Sequence, residues 1–209
     1  GVIYIKRTMM EIKEHYERLF SEHGESHLTA QYSDQESHIK RLEIICKEYN
    51  LHDKEVVDFG CGIGTLIECM KKEDQKARKY TGIEIADNIR QYCKTKYKDY
   101  NFYKSISECK SMSDVGVISG TFNNKSEQSE IFWKKTLIEL SKICKEGIVL
   151  NMLSSYVDYK DENLYYIDPM IVFKFAKENI APYVKVVNDY ALKSHGYPYE
   201  FTVVMRKEI

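Results

Sequence analysis

The run Val56-Val57-Asp58-Phe59-Gly60-Cys61-Gly62-Ile63-Gly64-Thr65 constrains this chain more than any other stretch, together with Thr81-Gly82-Ile83-Glu84, which ends 24 positions after Gly60. An apolar strand pattern runs into three alternating glycines and a helix start, and a second strand pattern ends in a carboxylate. Glycines at these positions let the backbone take positive φ and bring a ligand against main-chain N–H groups with no Cβ between. Strand, glycine turn, helix and a second strand ending in an acid form the unit that usually holds a nucleoside-bearing cofactor in a doubly wound sheet.

The spacing is GxGxG. A dinucleotide fingerprint requires glycine or alanine at position 65, where Thr65 stands. Asp58, at the carboxyl end of the first strand, would repel a pyrophosphate and suits a ligand with positive charge. S-adenosylmethionine carries an ammonium and a sulfonium, and Glu84 can accept hydrogen bonds from ribose hydroxyls. At these residues the chain resembles the class I S-adenosylmethionine-dependent methyltransferases, whose first motif is an acid followed by GxGxG and whose second is the acid ending strand two. The resemblance spans roughly residues 30 to 209. It implies a Rossmann-like methyltransferase fold and a cofactor site drawn from Asp58, Gly60, Cys61, Gly62, Gly64, Glu84, Ile85, Ser119 and Gly120. Arg41, on the preceding helix, is a candidate to neutralise the cofactor carboxylate.

With 209 residues the chain suits one α/β domain with a small cap. Basic and acidic side chains number 31 and 32, for a net charge of −1. That balance argues against a broad nucleic-acid surface, which needs clustered uncompensated Lys and Arg. The six cysteines show no CxxC and no paired metal spacing, so no metal site or disulfide framework is expected. Cys61, inside the glycine loop, reads as a small neutral filler. No signal-peptide pattern and no apolar stretch of about 18 residues appears, which gives the expectation of a soluble cytoplasmic protein.

The organisation expected is an N-terminal helix and lid or linker over residues 1–33, then a cofactor-binding domain over 34–209. Residues 9–22 pattern as an amphipathic helix, and His23, His27 and His38 fall loosely around the linker. Ser33 to Glu36 fits a capping box for a helix whose core face carries Ile39, Leu42, Ile45, Cys46 and Tyr49. Strands are expected at 54–59, 79–84, 100–104, 114–119 and 147–152, with helices at 64–73, 87–97 and 126–145, the last stopped at Gly147. Asp168-Pro169 starts a further helix to about 180. Two final strands, 183–189 and 199–206, can pair as an antiparallel hairpin at the sheet edge. The sum is a doubly wound, seven-stranded, mostly parallel sheet with a C-terminal antiparallel hairpin.

Ligands of open α/β sheets lie beyond the carboxyl ends of the strands, so the loops there are candidate walls. After strand four stands Ser119-Gly120-Thr121-Phe122-Asn123, without the Pro-Pro-Tyr or Pro-Cys signatures of nucleic-acid methyltransferases; Thr121 and Asn123 are candidate acceptor contacts. Residues 151–169 read as a long lid, and eight of the 17 tyrosines lie between Tyr156 and Tyr199. Tyr165, Tyr166 and Tyr199 are the candidates to face a ring-shaped polar ligand. For a general base the candidates are His195 and Asp168. The loop after strand four, the segment 151–169 and the terminal Tyr199 to Lys207 together resemble a branch of small class I methyltransferases found with bacterial surface-polysaccharide and other glycan or natural-product pathways. The stretch 188–199 departs from that branch, being longer than its short Asp-Tyr-Gly-Leu link. The resemblance implies methyl transfer to O or N of a small polar metabolite such as a sugar or sugar nucleotide, in polysaccharide biosynthesis. A non-catalytic cofactor-binding module and an RNA or protein methyltransferase remain the alternatives.

Overall fold

The computed structural model describes residues 35–194 and 196–209, together with Met10, Lys13, Glu14, Glu17 and Arg18. Ser33, His23, His27, His195 and most of the 9–22 helix lie outside the described residues. Helix α1 (Gln35–Glu48) buries Leu42, Ile45 and Cys46 at helical spacing, with Tyr49 just past its end. The chain then alternates through β1 (Glu55–Phe59), α2 (Thr65–Lys72), β2 (Lys79–Ile83), α3 (Asp87–Lys96), β3 (Asn101–Tyr103), β4 (Ser113–Ile118), α4 (Ser129–Ser141) and β5 (Cys144–Ser154). It ends through β6 (Tyr166–Ile167), α5 (Pro169–Asn179), β7 (Tyr183–Val187) and β8 (Glu200–Arg206).

The sheet order is β3-β2-β1-β4-β5-β8-β7, with β6 paired to β5 off this path. Strands β1 to β5 run parallel to their neighbours, and β8 inserts antiparallel between β5 and β7. Eight strands therefore replace the seven expected. The extra one is only two residues long, Leu153 facing Tyr166 and Ser154 facing Ile167, too short to leave a periodicity signal.

Side-chain alternation along the central strands feeds two cores. Val56, Val117, Val149 and Val204 pack with Leu42, Leu66 and Met70 under α1 and α2, while Val57, Ile118, Ile148, Leu150 and Val203 pack with Trp133, Leu137 and Val172 under α4 and α5. Burial on both faces accounts for the near-continuous apolar runs of β1, β4 and β5. Strand order reverses between β1 and β4, so the crevice at their carboxyl ends is the expected ligand site. Among the described residues no helix is long and apolar enough to cross a membrane.

One boundary differs from the sequence reading for a non-local reason. Helix α4 stops at Ser141, and Gly147, read as the stop, lies inside β5. Lys207 Nζ reaches back to the carbonyls of Ser141 (2.6 Å) and Cys144 (2.7 Å), which satisfies the end of the helix from the other end of the chain. One extra residue sits in β5 where Ser113 to Val115 faces Cys144 to Gly147, a bulge that brings Gly147 against β8. A Cβ on Gly147 would overlap the Met205 carbonyl oxygen. Gly147→Ala is therefore expected to cost at least about 2 kcal/mol, read as a lower urea midpoint at unchanged m-value. A neutral substitution would contradict this packing.

Candidate active site

The first wall is the turn after β1. Gly60, Gly62 and Gly64 have φ of 73°, 54° and 84°. The Gly60 and Cys61 amides both donate to the Ile83 carbonyl, at 2.8 and 3.1 Å, which ties the loop to the end of β2. Gly60 has no room for a side chain, because a Cβ would strike the Thr121 hydroxyl. Glu84 completes the tie: Oε1 accepts from the Gly62 amide (3.1 Å) and Oε2 from the Ala86 amide (3.0 Å). Arg90 Nη1 donates to the carbonyls of Glu84 (2.7 Å) and Ile85 (3.3 Å), fixing the start of α3. Burial pushes the Glu84 carboxyl up, and the amides of Ala86 and Gly62 oppose it.

Asp58 is buried on the same side, and its Oδ2 accepts a 2.6 Å hydrogen bond from the Tyr80 hydroxyl. Desolvation, with a smaller contribution from the Glu84 charge, pushes it up to about 7 against the pull of Tyr80. Among the described residues neither Asp58 nor Glu84 forms an ion pair. Cys61 is buried with its Sγ 3.6 Å from the Gly62 carbonyl, which Cys93 Sγ approaches to 3.1 Å. Contact with Cys93 and burial push the Cys61 thiol up, so it fills space and has no thiolate character.

The second wall follows β4. Gly120 has φ 70°, and its amide donates to Asn151 Oδ1 at 2.7 Å. Asn151 Nδ2 donates to Ser119 Oγ at 2.9 Å. Thr121 Oγ1 donates to the Phe59 carbonyl at 3.0 Å, joining the two walls. Asn151 is fully buried and was not among the sequence candidates. The signal for it was a single amide inside the apolar run Ile148 to Leu153, where only a partnered polar group is tolerated. Asn123 holds its loop through main-chain bonds, its amide to Gly120 O (3.2 Å) and its carbonyl from Tyr165 N (2.8 Å).

The lid candidate is ordered by pairing with the sheet. Tyr165 packs against the α4–α5 core, its hydroxyl accepting from Trp133 Nε1 at 3.2 Å, and Tyr166 OH accepts from the Asp161 amide at 3.1 Å. These two hydroxyls brace the protein's own segment. Tyr199 lies beside β5, its carbonyl accepting from Ser154 N at 2.8 Å. Asp168 caps α5, Oδ1 accepting from Met170 N at 2.9 Å, so this carboxylate is committed to a helix end. Tyr156 and Tyr159, 60% and 79% exposed, are the tyrosines of this segment that stand out into solvent.

Arg41, on α1, meets a carboxylate of the protein itself. Its Nε lies 3.2 Å from Glu200 Oε2, both side chains buried, at the start of β8 opposite Leu153. Tyr190 OH lies 3.2 Å from Glu200 Oε1 and 2.9 Å from Thr202 Oγ1, and Asn188 Nδ2 donates to the Glu200 carbonyl at 2.8 Å. The guanidinium thus faces a protein carboxylate 159 positions away in sequence, a pairing that no local pattern announces. On the opposite flank, Lys13 Nζ lies 2.7 Å from Asp87 Oδ2, and Glu17 Oε1 accepts from the Asp87 amide at 2.9 Å. These contacts set Lys13 and Glu17 against the first turn of α3, three residues beyond Glu84.

Two stability effects follow from the buried charges. Asp58 binds a proton more tightly folded than unfolded, so folding stability falls as pH rises from the ordinary carboxylate range through about 7. Asp58→Asn does not titrate, and its stability relative to the parent is expected to rise by up to roughly 4 kcal/mol between pH 4 and pH 8, measured by urea unfolding. A pH-independent difference would contradict the buried acid. Glu200→Gln removes the carboxylate that faces the buried Arg41 guanidinium and is expected to cost about 3–5 kcal/mol, whereas Arg41→Met with Glu200→Met together costs less than that single change. Additive losses in the cycle would show that the two do not interact.

No protein-family model matches the chain. A Mycobacterium tuberculosis protein provisionally described as a methyltransferase is 28% identical over 158 residues, covering 72% of this chain and 91% of that protein. Magnesium protoporphyrin IX methyltransferase from Synechocystis, solved with S-adenosylmethionine bound, superposes with a TM-score of 0.65 at 12% identity over 96% of this chain and 97% of its own. The same enzyme with S-adenosylhomocysteine gives 0.66 at 10% identity, covering 96% of this chain and 99% of that one. A S-adenosylmethionine-dependent methyltransferase from Clostridium acetobutylicum gives 0.59 at 14% identity, covering 89% of this chain and 97% of its own. The chain has the fold of the class I S-adenosylmethionine-dependent methyltransferases, a mostly parallel sheet with an antiparallel C-terminal end.

Proposed function

We propose that this protein transfers a methyl group from S-adenosylmethionine to an oxygen or nitrogen of a small polar metabolite, a sugar, sugar nucleotide or related glycan precursor, in the cytoplasm. The observation that carries the reading is the pair of buried carboxylates, Asp58 and Glu84, flanking a positive-φ glycine loop with no counter-ion among the described residues. A ligand that brings both positive charge and vicinal hydroxyls compensates both. Bound there, S-adenosylmethionine supplies a methyl group on a sulfonium leaving group.

The chain's own residues bind and orient. Each Glu84 oxygen already accepts one amide and retains a lone pair for a ribose hydroxyl. The glycine loop offers main-chain surface without side chains, and Asp58 supplies negative charge beneath it. Ser119 and Gly120, held by Asn151, line the side where β4 ends and the acceptor must approach. An amine acceptor needs only its free base; a hydroxyl draws on a base worth about 10²–10⁴ in rate, for which His195 is the candidate. Exposed Tyr156 and Tyr159, with Thr121 and Asn123, support a polar ring-shaped acceptor.

Incubation with isotopically labelled S-adenosylmethionine and a panel of nucleotide sugars, followed by mass spectrometry, is expected to place label in one acceptor. Glu84→Ala is expected to weaken S-adenosylhomocysteine binding about 5- to 30-fold, one to two hydrogen bonds of ~1 kcal/mol each. Unchanged affinity in a folded variant would remove Glu84 from the ribose, and label in none of the panel would remove the sugar acceptor.

A further inference from the structure

Asp58 and Glu84 are two buried acids beside one loop, and their partners differ in kind. Both Glu84 oxygens face main-chain N–H groups, which can only donate and so favour its ionised form against the upward push of burial. Asp58 Oδ2 faces the Tyr80 hydroxyl at 2.6 Å, a group that donates to a carboxylate or accepts from a carboxylic acid equally well. The titratable groups that face Asp58 are Tyr80 from β2, Glu84 beyond it and Cys61 in the loop, with Cys93 from α3 behind Cys61 and Tyr80; none is a cation. Burial, with a smaller contribution from the Glu84 charge, disfavours the ionised form of Asp58, and its hydroxyl partner can accept a proton held there.

We propose that Asp58 carries this proton in the ligand-free protein and gives it up when a positively charged ligand seats on the glycine loop, the Tyr80 hydroxyl turning from acceptor to donor. The step balances as a carboxylic acid plus a cation giving a carboxylate–cation pair and one proton released to solvent. The site then selects its ligand by charge as well as by shape, since a neutral nucleoside leaves the proton in place. Burial, which pushes Asp58 up to about 7, puts the exchange in the neutral range. This inference rests on the cofactor reading given under Proposed function.

Calorimetric titration of the full chain at pH 7 in phosphate and in Tris, buffers of different ionisation heat, reads the proton directly. With S-adenosylmethionine about half a proton is expected to leave per site, falling towards none at pH 9, where Asp58 is already ionised. The neutral 5′-methylthioadenosine should release none. Asp58→Asn should still bind S-adenosylmethionine, more weakly, with the release abolished. Tyr80→Phe, which removes the hydroxyl that favours the carboxylate, should shift the release towards higher pH and provides the test if Asp58→Asn does not fold. Buffer-independent heats in the parent, or equal release with the neutral nucleoside or with Asp58→Asn, would overturn the proposal while leaving the cofactor reading intact. Absence of binding by both S-adenosylmethionine and S-adenosylhomocysteine would overturn both.

Discussion

The arrangement at the carboxyl end of the sheet depends on the Glu84 carboxylate. It satisfies the Gly62 amide of the loop after β1 and the Ala86 amide at the entry to α3, two buried donors that no strand ladder reaches. With the Ile83 carbonyl taking the Gly60 and Cys61 amides, it locks the β1 and β2 ends into one surface. A side chain that is costly to bury is kept because two main-chain donors need it. The acid that ties the fold together locally is thus also the one proposed to meet the cofactor.

The other buried polar groups follow the same logic at longer range. Asn151 sits within apolar β5 and is fully used by Ser119 and Gly120, which fixes the β4 wall. Arg41 and Glu200 join α1 to the start of β8 and, through Tyr190, to the 188–199 loop. A buried ion pair of this kind contributes little net stability compared with apolar packing, and its value lies in selecting one arrangement of the three segments. That arrangement lies near the carboxyl end of β5, where Glu200 faces Leu153.

Local chemistry was legible in the sequence wherever both halves of an interaction lie within a few residues. Strand β1 with its glycine turn, the acid after β2 and the Asp168 cap of α5 emerge within a residue or so of where they were expected. The terminal hairpin expected at the sheet edge forms, with β8 inserted between β5 and β7. Contacts that join distant segments were not legible. Gly147 reads as a helix stop by its neighbours, yet its role is set by the approach of Met205. Tyr165 and Tyr166 look like ligand-facing aromatics by composition, yet Trp133 and Asp161 hold them. Arg41 could be aimed at a cofactor until Glu200, nearly the whole domain away, is folded against it.

The central claim, that the loop from Asp58 to Gly64 with Glu84 is a site for a cationic methyl donor and not a pyrophosphate cradle, is tested most directly by calorimetric titration with S-adenosylhomocysteine and, separately, with NAD. Saturable one-to-one binding of S-adenosylhomocysteine with no measurable heat from NAD is the predicted result. Binding of NAD without S-adenosylhomocysteine would contradict the account.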